Sequence, residues 1–304
     1  MHKVIVFGSL NMDLTIACER MPLAGETISG GGFLANPGGK GANQAVAAAK
    51  LGAQTQMIGA VGQDTFGDQL IAALAEAGVE CKCVERVSGR PTGVACIVRV
   101  GPDNRIIVDP GANDVLRAED VSHALDRLAG PGDIFLTQLE CDHATTFAAL
   151  AKARSRGMYV VLNAAPARTL PDDIWSNIDL VCINETECAA ITGVYPDCDE
   201  AALRAMRQLA DKGVHLVAVT LGERGAILLE DGRKLVSEPF HVNAIDTTCA
   251  GDTYLGAFIA ARARGMSTEE IIRWSSCASA LATTRIGAQQ SIPSIAEVER
   301  LLTR

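Results

Sequence analysis

Short apolar runs alternate with longer amphipathic stretches along most of the chain. From Asp120 onward the runs "DIFLTQLE", "MYVVLNAAP", "DLVCIN" and "HLVAVTLG" are apolar throughout instead of alternating. That pattern suits strands covered on both faces, as in a parallel sheet. Between them the pattern predicts helices over Ala144–Arg156, closed by Gly157, and Glu200–Lys212, closed by Gly213. Glycine at a helix end accepts left-handed backbone at little cost. Strand, helix, strand in repetition predicts an α/β fold with a doubly wound, mainly parallel sheet flanked by helices. The last part reads as helical: Asp252–Arg264, then "STEEIIRWSSCASALATTR" opening with a Ser267/Glu270 capping box, then Ile295–Thr303.

Two segments break this rhythm. Residues 13–36 and 92–109 alternate in polarity and carry turn signals at "PLAGE" and "GPDN", so each reads as a hairpin. Together they predict a small extra β-sheet, a candidate lid inserted in one domain over residues 1–304. Its exposed edges are also a candidate homodimer contact.

Composition narrows the function classes. The 304 residues are 48% hydrophobic and 21% charged, and no apolar run reaches the roughly 18 residues of a membrane span. The opening run Val4–Phe7 is too short for a secretory signal, so a cytoplasmic protein with no membrane partner is expected. A formal charge of −9 argues against nucleic acid held by nonspecific phosphate contacts. A polyphosphate would need backbone dipoles and a few chosen cations. The ten cysteines are scattered and contain no Cys-x-x-Cys pair, so they read as reduced thiols. Cys81 and Cys83, two apart on a strand-like stretch, are expected to share a face.

Three stretches carry candidate chemistry. "DTTCAGDTYLG", Asp246–Gly256, places an acid where a helix begins. Asp252 there is either a helix cap or a reactive group beside a phosphate held by the N–H groups of Ala250 and Gly251. "NPGGKGANQAVAAAKLG", Asn36–Gly52, looks like a phosphate loop, yet Gly41 stands where a Walker sequence needs Ser or Thr. What remains is a glycine turn into a helix, with Asn43 offering both donors and an acceptor to paired hydroxyls. "GSLNMD", Gly8–Asp13, follows the first strand, so Asn11 and Asp13 sit where parallel sheets collect ligands, and Glu140 ends a later strand in the same way. Two tempting readings fail on context. The side chains of "ECDH" splay too widely for a metal, and Gly30–Ala35, a Gly-x-Gly-x-x-Ala match, lies in a hairpin with no helix after it.

"GSLNMD", "GGKGANQAVAAAKLGA", "NAAPARTLP", "NETE" and "DTTCAGD", in this order and across nearly the whole chain, resemble the ribokinase-like carbohydrate kinase family. The resemblance implies ATP-dependent phosphorylation of the 5-hydroxyl of D-ribose. It places Asp252 as the catalytic base, with N–H groups of Ala250, Gly251 and Asp252 as an anion hole. It implies sugar contacts from Asn11, Asp13, Gly39, Lys40, Asn43 and Glu140. Related deoxyribose-specific kinases differ at the position of Asn11, which favours ribose here. Asn184 and Glu187 are implied to organise Mg2+ and the phosphates, partly through water. Thr220, Gly222 and Gly225 match the nucleotide loop, and Ser276 the base or ribose pocket of the nucleotide. Asp246, Thr248, Ala282, Arg285, Gly287 and Ser291 fall where relatives surround a monovalent cation, K+, mostly with carbonyls.

Alternatives stay open at this point. The acceptor can be 2-deoxyribose, or a nucleoside if Met12, Ile16, Phe33 and Ile97 wall an apolar pocket. A sugar-binding regulator without catalysis predicts damage at Asp252 or in the anion hole, and neither is seen. Cys249 departs from the glycine that many relatives carry. A positive φ there is costly for cysteine, and a thiol at a helix start is expected to have a lowered pKa and to be open to oxidation.

Overall fold

The computed structural model describes residues 2–101 and 103–303, so Met1, Arg304 and Pro102 of the expected "GPDN" turn lie outside the described residues. The chain runs β1 (Val4–Phe7), β2 (Asn11–Cys18), β3 (Gly31–Gly38), α1 (Lys40–Lys50), β4 (Thr55–Gly62), α2 (Thr65–Glu76), β5 (Glu80–Val87), β6 (Gly93–Val100) and β7 (Asp103–Asp109). It continues through α3 (Ala118–Leu128), β8 (Ile134–Thr137), α4 (His143–Ser155), β9 (Tyr159–Asn163), β10 (Leu180–Asn184), α5 (Glu185–Thr192) and α6 (Asp199–Ala210). The last elements are β11 (Leu216–Thr220), β12 (Ala226–Glu230), β13 (Arg233–Ser237), α7 (Ala250–Ala263), α8 (Thr268–Ala282) and α9 (Ile295–Leu302).

A nine-stranded sheet has the order β13-β12-β11-β10-β9-β8-β1-β4-β5. It is parallel from β5 to β11, while β12 and β13 add an antiparallel hairpin at one edge. Period-two alternation sends side chains to opposite faces. Val4 and Val6 pack with Val46, Phe258 and Ile271 of α1, α7 and α8, while Ile5 and Phe7 join Leu125, Leu150 and Met206 of α3, α4 and α6. Both faces are therefore covered, and each fully buried Val, Leu or Ile contributes about 1.5–3 kcal/mol.

The two hairpins form the expected second sheet, order β3-β2-β6-β7, with β2 and β6 parallel. Its root is packed around glycines. Asn11 of β2 pairs with Gly38 on one side and Gly93 on the other. A methyl group on Gly38 would lie 2.1 Å from the Asp13 Oδ2, and one on Gly93 would lie 2.3 Å from the Asn11 Oδ1. Only glycine leaves room there for these polar side chains.

Several expectations shift. Asn11 and Asp13, which follow β1, both lie inside β2 of the small sheet, so the hairpin expected from residue 13 begins at Asn11. The helix expected from Asp252 begins two residues earlier, at Ala250. Cys81 and Cys83 do not share a face, because the register between β4 and β5 slips between Gln56 and Ile58. Cys81 packs toward the α1/α7 side and Cys83 toward the α3/α4 side. All ten cysteines are free thiols, and among the described residues no helix is long and apolar enough to cross a membrane.

Candidate active site

Helices α1 and α7 meet unusually closely, because a methyl group on Gly256 would lie 2.4 Å from the Ala47 Cβ. This approach brings the first turn of α7 against Asn43 and Gln44. Asn43 Nδ2 donates to Asp252 Oδ2 at 3.0 Å, and Gln44 Nε2 donates to Asp252 Oδ1 at 2.8 Å. Asp252 is therefore no helix cap: Cys249 occupies that position, and the carboxylate engages side chains of α1. It is only 8% exposed. A buried carboxylate held on both oxygens by amides and open to one further partner is equipped to take a proton.

Cys249 adopts φ 66, in the left-handed region, which strains a non-glycine residue by about 1–2 kcal/mol. The space beside Gly251 is open. Of the three N–H groups expected to form an anion hole, that of Ala250 donates to the Thr247 carbonyl at 3.2 Å. The open approach is therefore at Gly251 and Asp252, where a helix N-terminus favours anions. The lowered thiol pKa expected at Cys249 is not found. Desolvation, assisted by Asp252, pushes it above the usual thiol range, while the residue keeps partial exposure.

The expected sugar residues converge from three elements. Gly39 has φ 86, and a side chain on it would strike the Asn11 nitrogen at 2.7 Å. It turns β3 into α1 so that Lys40 N donates to Glu140 Oε2 at 3.0 Å. Ser9 Oγ donates to the same oxygen at 2.5 Å. Burial alone would lower the Lys40 ammonium, but Asp252, Glu140 and Glu187 together hold it above its usual value. Asp13 is pushed up to about 7, by burial first and then by Glu140 and Asp252, with Lys40 opposing. Asn113 Nδ2 donates to Asn11 Oδ1 at 2.8 Å, which leaves the Asn11 amide N–H groups for a ligand acceptor. Asn43 Oδ1 is buried without a protein partner, as an acceptor for a ligand hydroxyl should be.

Asn184 and Glu187 form a reciprocal capping box at α5, with Asn184 N donating to Glu187 Oε2 and Glu187 N donating to Asn184 Oδ1, both at 2.8 Å. Burial raises the Glu187 carboxyl, opposed by the Asn184 backbone and Lys40. Thr220 ends β11, and Gly222 and Gly225 bound the turn after it, with φ 55 and 80. Ser276 lies on α8 with its hydroxyl buried and unpaired. Asp246 receives N–H groups from Thr248 at 3.0 Å and Gly287 at 2.9 Å. Of the other expected cation residues, Ala282 accepts from Arg285 N, Ser291 Oγ donates to Ala288 O, and the Arg285 side chain pairs with Glu297. A cleft of about 330 Å³ opens between the small sheet and these loops, lined by Asp13, Asn36, Ile97, Arg99, Asp246 and Gly287 among others. Of the expected apolar wall only Ile97 lines it. Met12 is buried in the core, while Ile16 and Phe33 face solvent.

Sequence reasoning missed Ser9, Gln44 and Asn113, which bond the expected residues, and Gln138 and Asn163, which bond Gln44. Gln44 and Asn163 lie within the quoted motifs, whereas Asn113 has no local signal.

A model described as pfkB family carbohydrate kinase matches residues 1–295. Ribokinase of Haemophilus influenzae is 38% identical over 99% of this chain and 99% of that protein. Deoxyribokinase of Salmonella typhimurium is 35% identical over 99% of this chain and 98% of that protein. The structure of Arabidopsis thaliana ribokinase complexed with ribose and ATP superposes with a TM-score of 0.90 at 31% identity, covering 100% of this chain and 99% of that one. With its buried aspartate at a helix start and its glycine turn into α1, this chain belongs to the pfkB family of carbohydrate kinases.

Proposed function

We propose that the enzyme transfers the γ-phosphoryl group of ATP to the 5-hydroxyl of D-ribose, giving D-ribose 5-phosphate and ADP. The observation that carries this reading is the Asp252 carboxylate, buried and held by Asn43 and Gln44 at the N-terminus of α7. In the reaction the hydroxyl proton moves to Asp252 as its oxygen attacks the γ-phosphorus and the bond to the β-phosphate bridging oxygen breaks. The N–H groups of Gly251 and Asp252 face the migrating charge, and phosphoryl transfer depends mostly on such positioning and charge stabilisation. Asn11, Asp13, Lys40, Asn43 and Glu140 receive the sugar hydroxyls. Thr220, Gly222, Gly225 and Ser276 serve the nucleotide.

Asn184 and Glu187 suit magnesium through its water shell, since they already bond each other. Among the described residues no three His, Cys, Asp or Glu side chains gather into a direct cage. Magnesium bound there supplies neutralisation of the phosphate oxygens. The set Asp246, Thr248, Ala282, Arg285, Gly287 and Ser291 offers one carboxylate plus backbone carbonyls, which suits a weakly held K+ ion. A homodimer through the small sheet is supported by its exposed Phe33, Ile106 and Ile107. We place the enzyme in the cytoplasm, where thiols stay reduced.

A second reading, 2-deoxyribose as acceptor, draws on the Salmonella typhimurium deoxyribokinase. The presence of Asn11, braced by Asn113, favours ribose over it. A coupled assay with ribose, 2-deoxyribose and adenosine separates the acceptors, and ribose is expected to give the highest kcat/KM. Asp252→Asn is expected to lower kcat by about 10²–10⁴-fold with the fold intact. Undiminished sugar phosphate formation by that variant would remove the reading.

A further inference from the structure

The side chain of Gln44 is completely buried and belongs to no expected ligand contact. Its Nε2 donates to Asp252 Oδ1 at 2.8 Å and to Asn163 Oδ1 at 2.9 Å, while its Oε1 accepts from Gln138 Nε2 at 2.7 Å. Four elements of the fold, α1, β9, α7 and the end of β8, thus meet at one amide. The partners settle which way it points. A flipped amide would set its oxygen against two acceptors and its nitrogen against the Gln138 donor.

We infer that Gln44 is the positioning residue of the phosphoryl transfer, fixing the carboxylate plane of Asp252 while Asn43 offers its Oδ1 to the sugar. The inference rests on Asp252 being the base. Asn43 and Gln44 each hold one carboxylate oxygen, and of the two only Asn43 has an unpartnered atom, Oδ1, to share with a substrate hydroxyl, so Gln44 is the restraint committed wholly to protein partners. Other charges and thiols near Asp252 are Lys40 of α1, Asp13 of β2, Glu140 beyond β8, Glu187 of α5, Cys182 of β10 and Cys249 of its own turn. None of them is hydrogen-bonded to Asp252, so among the described residues its side-chain donors are Asn43 and Gln44 alone.

Two variants test this. Gln44→Met keeps the volume and removes the donor. Gln44→Glu keeps the shape and the acceptor for Gln138 but sets a carboxylate against Asp252. Both are expected to lose kcat by about 10²-fold, the scale of a misplaced catalytic group, with ribose KM within roughly threefold of the parent. The Gln44→Glu deficit is expected to deepen from pH 6 to pH 9 as two like charges come to face each other, whereas the Gln44→Met deficit stays constant across that range. Should Gln44→Met fail to fold by circular dichroism, Gln138→Met frees the Gln44 amide to flip and is expected to lower kcat without raising KM. A kcat within about threefold of the parent in the folded variants, or a loss confined to KM, overturns the inference. Asp252→Asn runs alongside: if it stays active the base assignment fails, and if it is inactive while the Gln44 variants turn over normally only the positioning role fails.

Discussion

Asp13 shows how one residue trades stability for recognition. Its carboxyl is pushed up to about 7 from 3.8, first by burial and then by Glu140 and Asp252. Because the folded value lies above the unfolded one, the folded chain holds a proton that the unfolded chain has released. Stability is therefore lost as pH rises from 3.8 through about 7. Asp13→Asn is expected to raise the thermal midpoint of the ligand-free protein at pH 8 and to raise it less at pH 5. The ionised form is the better acceptor for hydroxyls, so the parent's ribose KM is expected to rise as pH falls from 8 to 6. In Asp13→Asn that dependence should flatten at a higher KM, and a parental pH dependence in the variant would refute the role. Asp13, Asn43 and Asp252 are legible in the sequence because each sits in a short glycine-containing motif next to the start of a strand or helix. Asn113 is not legible: its partner Asn11 lies 102 positions away, and only the pairing of β2 with β6 and the 3-10 turn at Gly111–Asp114 bring them together.

Among the elements, the loop before α7 is tied down from α8. Asp246 accepts from Gly287, just beyond α8, and from Thr248, while Ile245 and Asp246 donate their N–H groups to the Thr283 carbonyl at 2.8 and 3.1 Å. Ser279 Oγ of α8 donates to the Ala250 carbonyl at 2.9 Å. A cation held by carbonyls in this loop would order the turn at Cys249 without touching substrate. Replacing potassium with tetramethylammonium is expected to lower kcat more than it raises the ribose KM, and unchanged turnover would rule the site out. The strands that sequence pattern predicts are those with unbroken apolar runs, such as β8 to β11. β4 escapes notice, with Gln56 interrupting its apolar run, whereas β5 is legible as a strand around Cys81 and Cys83 but its faces are not, because the register slip against β4 breaks the period. The β12–β13 hairpin sits at the sheet edge, where one neighbour suffices and Arg233 and Lys234 are tolerated.

For the whole molecule, the small sheet exposes more apolar surface than the large one. Phe33 is 63% and Ile107 is 77% exposed, with Ile106 and Val108 beside the latter. If two copies cover this surface, Phe33→Glu combined with Ile107→Glu is expected to shift sedimentation from dimer to monomer. Identical sedimentation of variant and parent would place any contact elsewhere.

The attachment of that sheet has a mechanical consequence. β2 starts four residues after β1 ends, and β3 ends two residues before α1 begins, so Asn11, Gly38 and Lys40 sit at the stem itself. Among the described residues, no long linker separates this sheet from the residues proposed to hold the sugar. If the sheet closes as a lid, its tilt would carry Asn11 and Asp13 with it, and sugar held there would brace the sheet in turn. A load on its far tip would then reach Asp13 along β2.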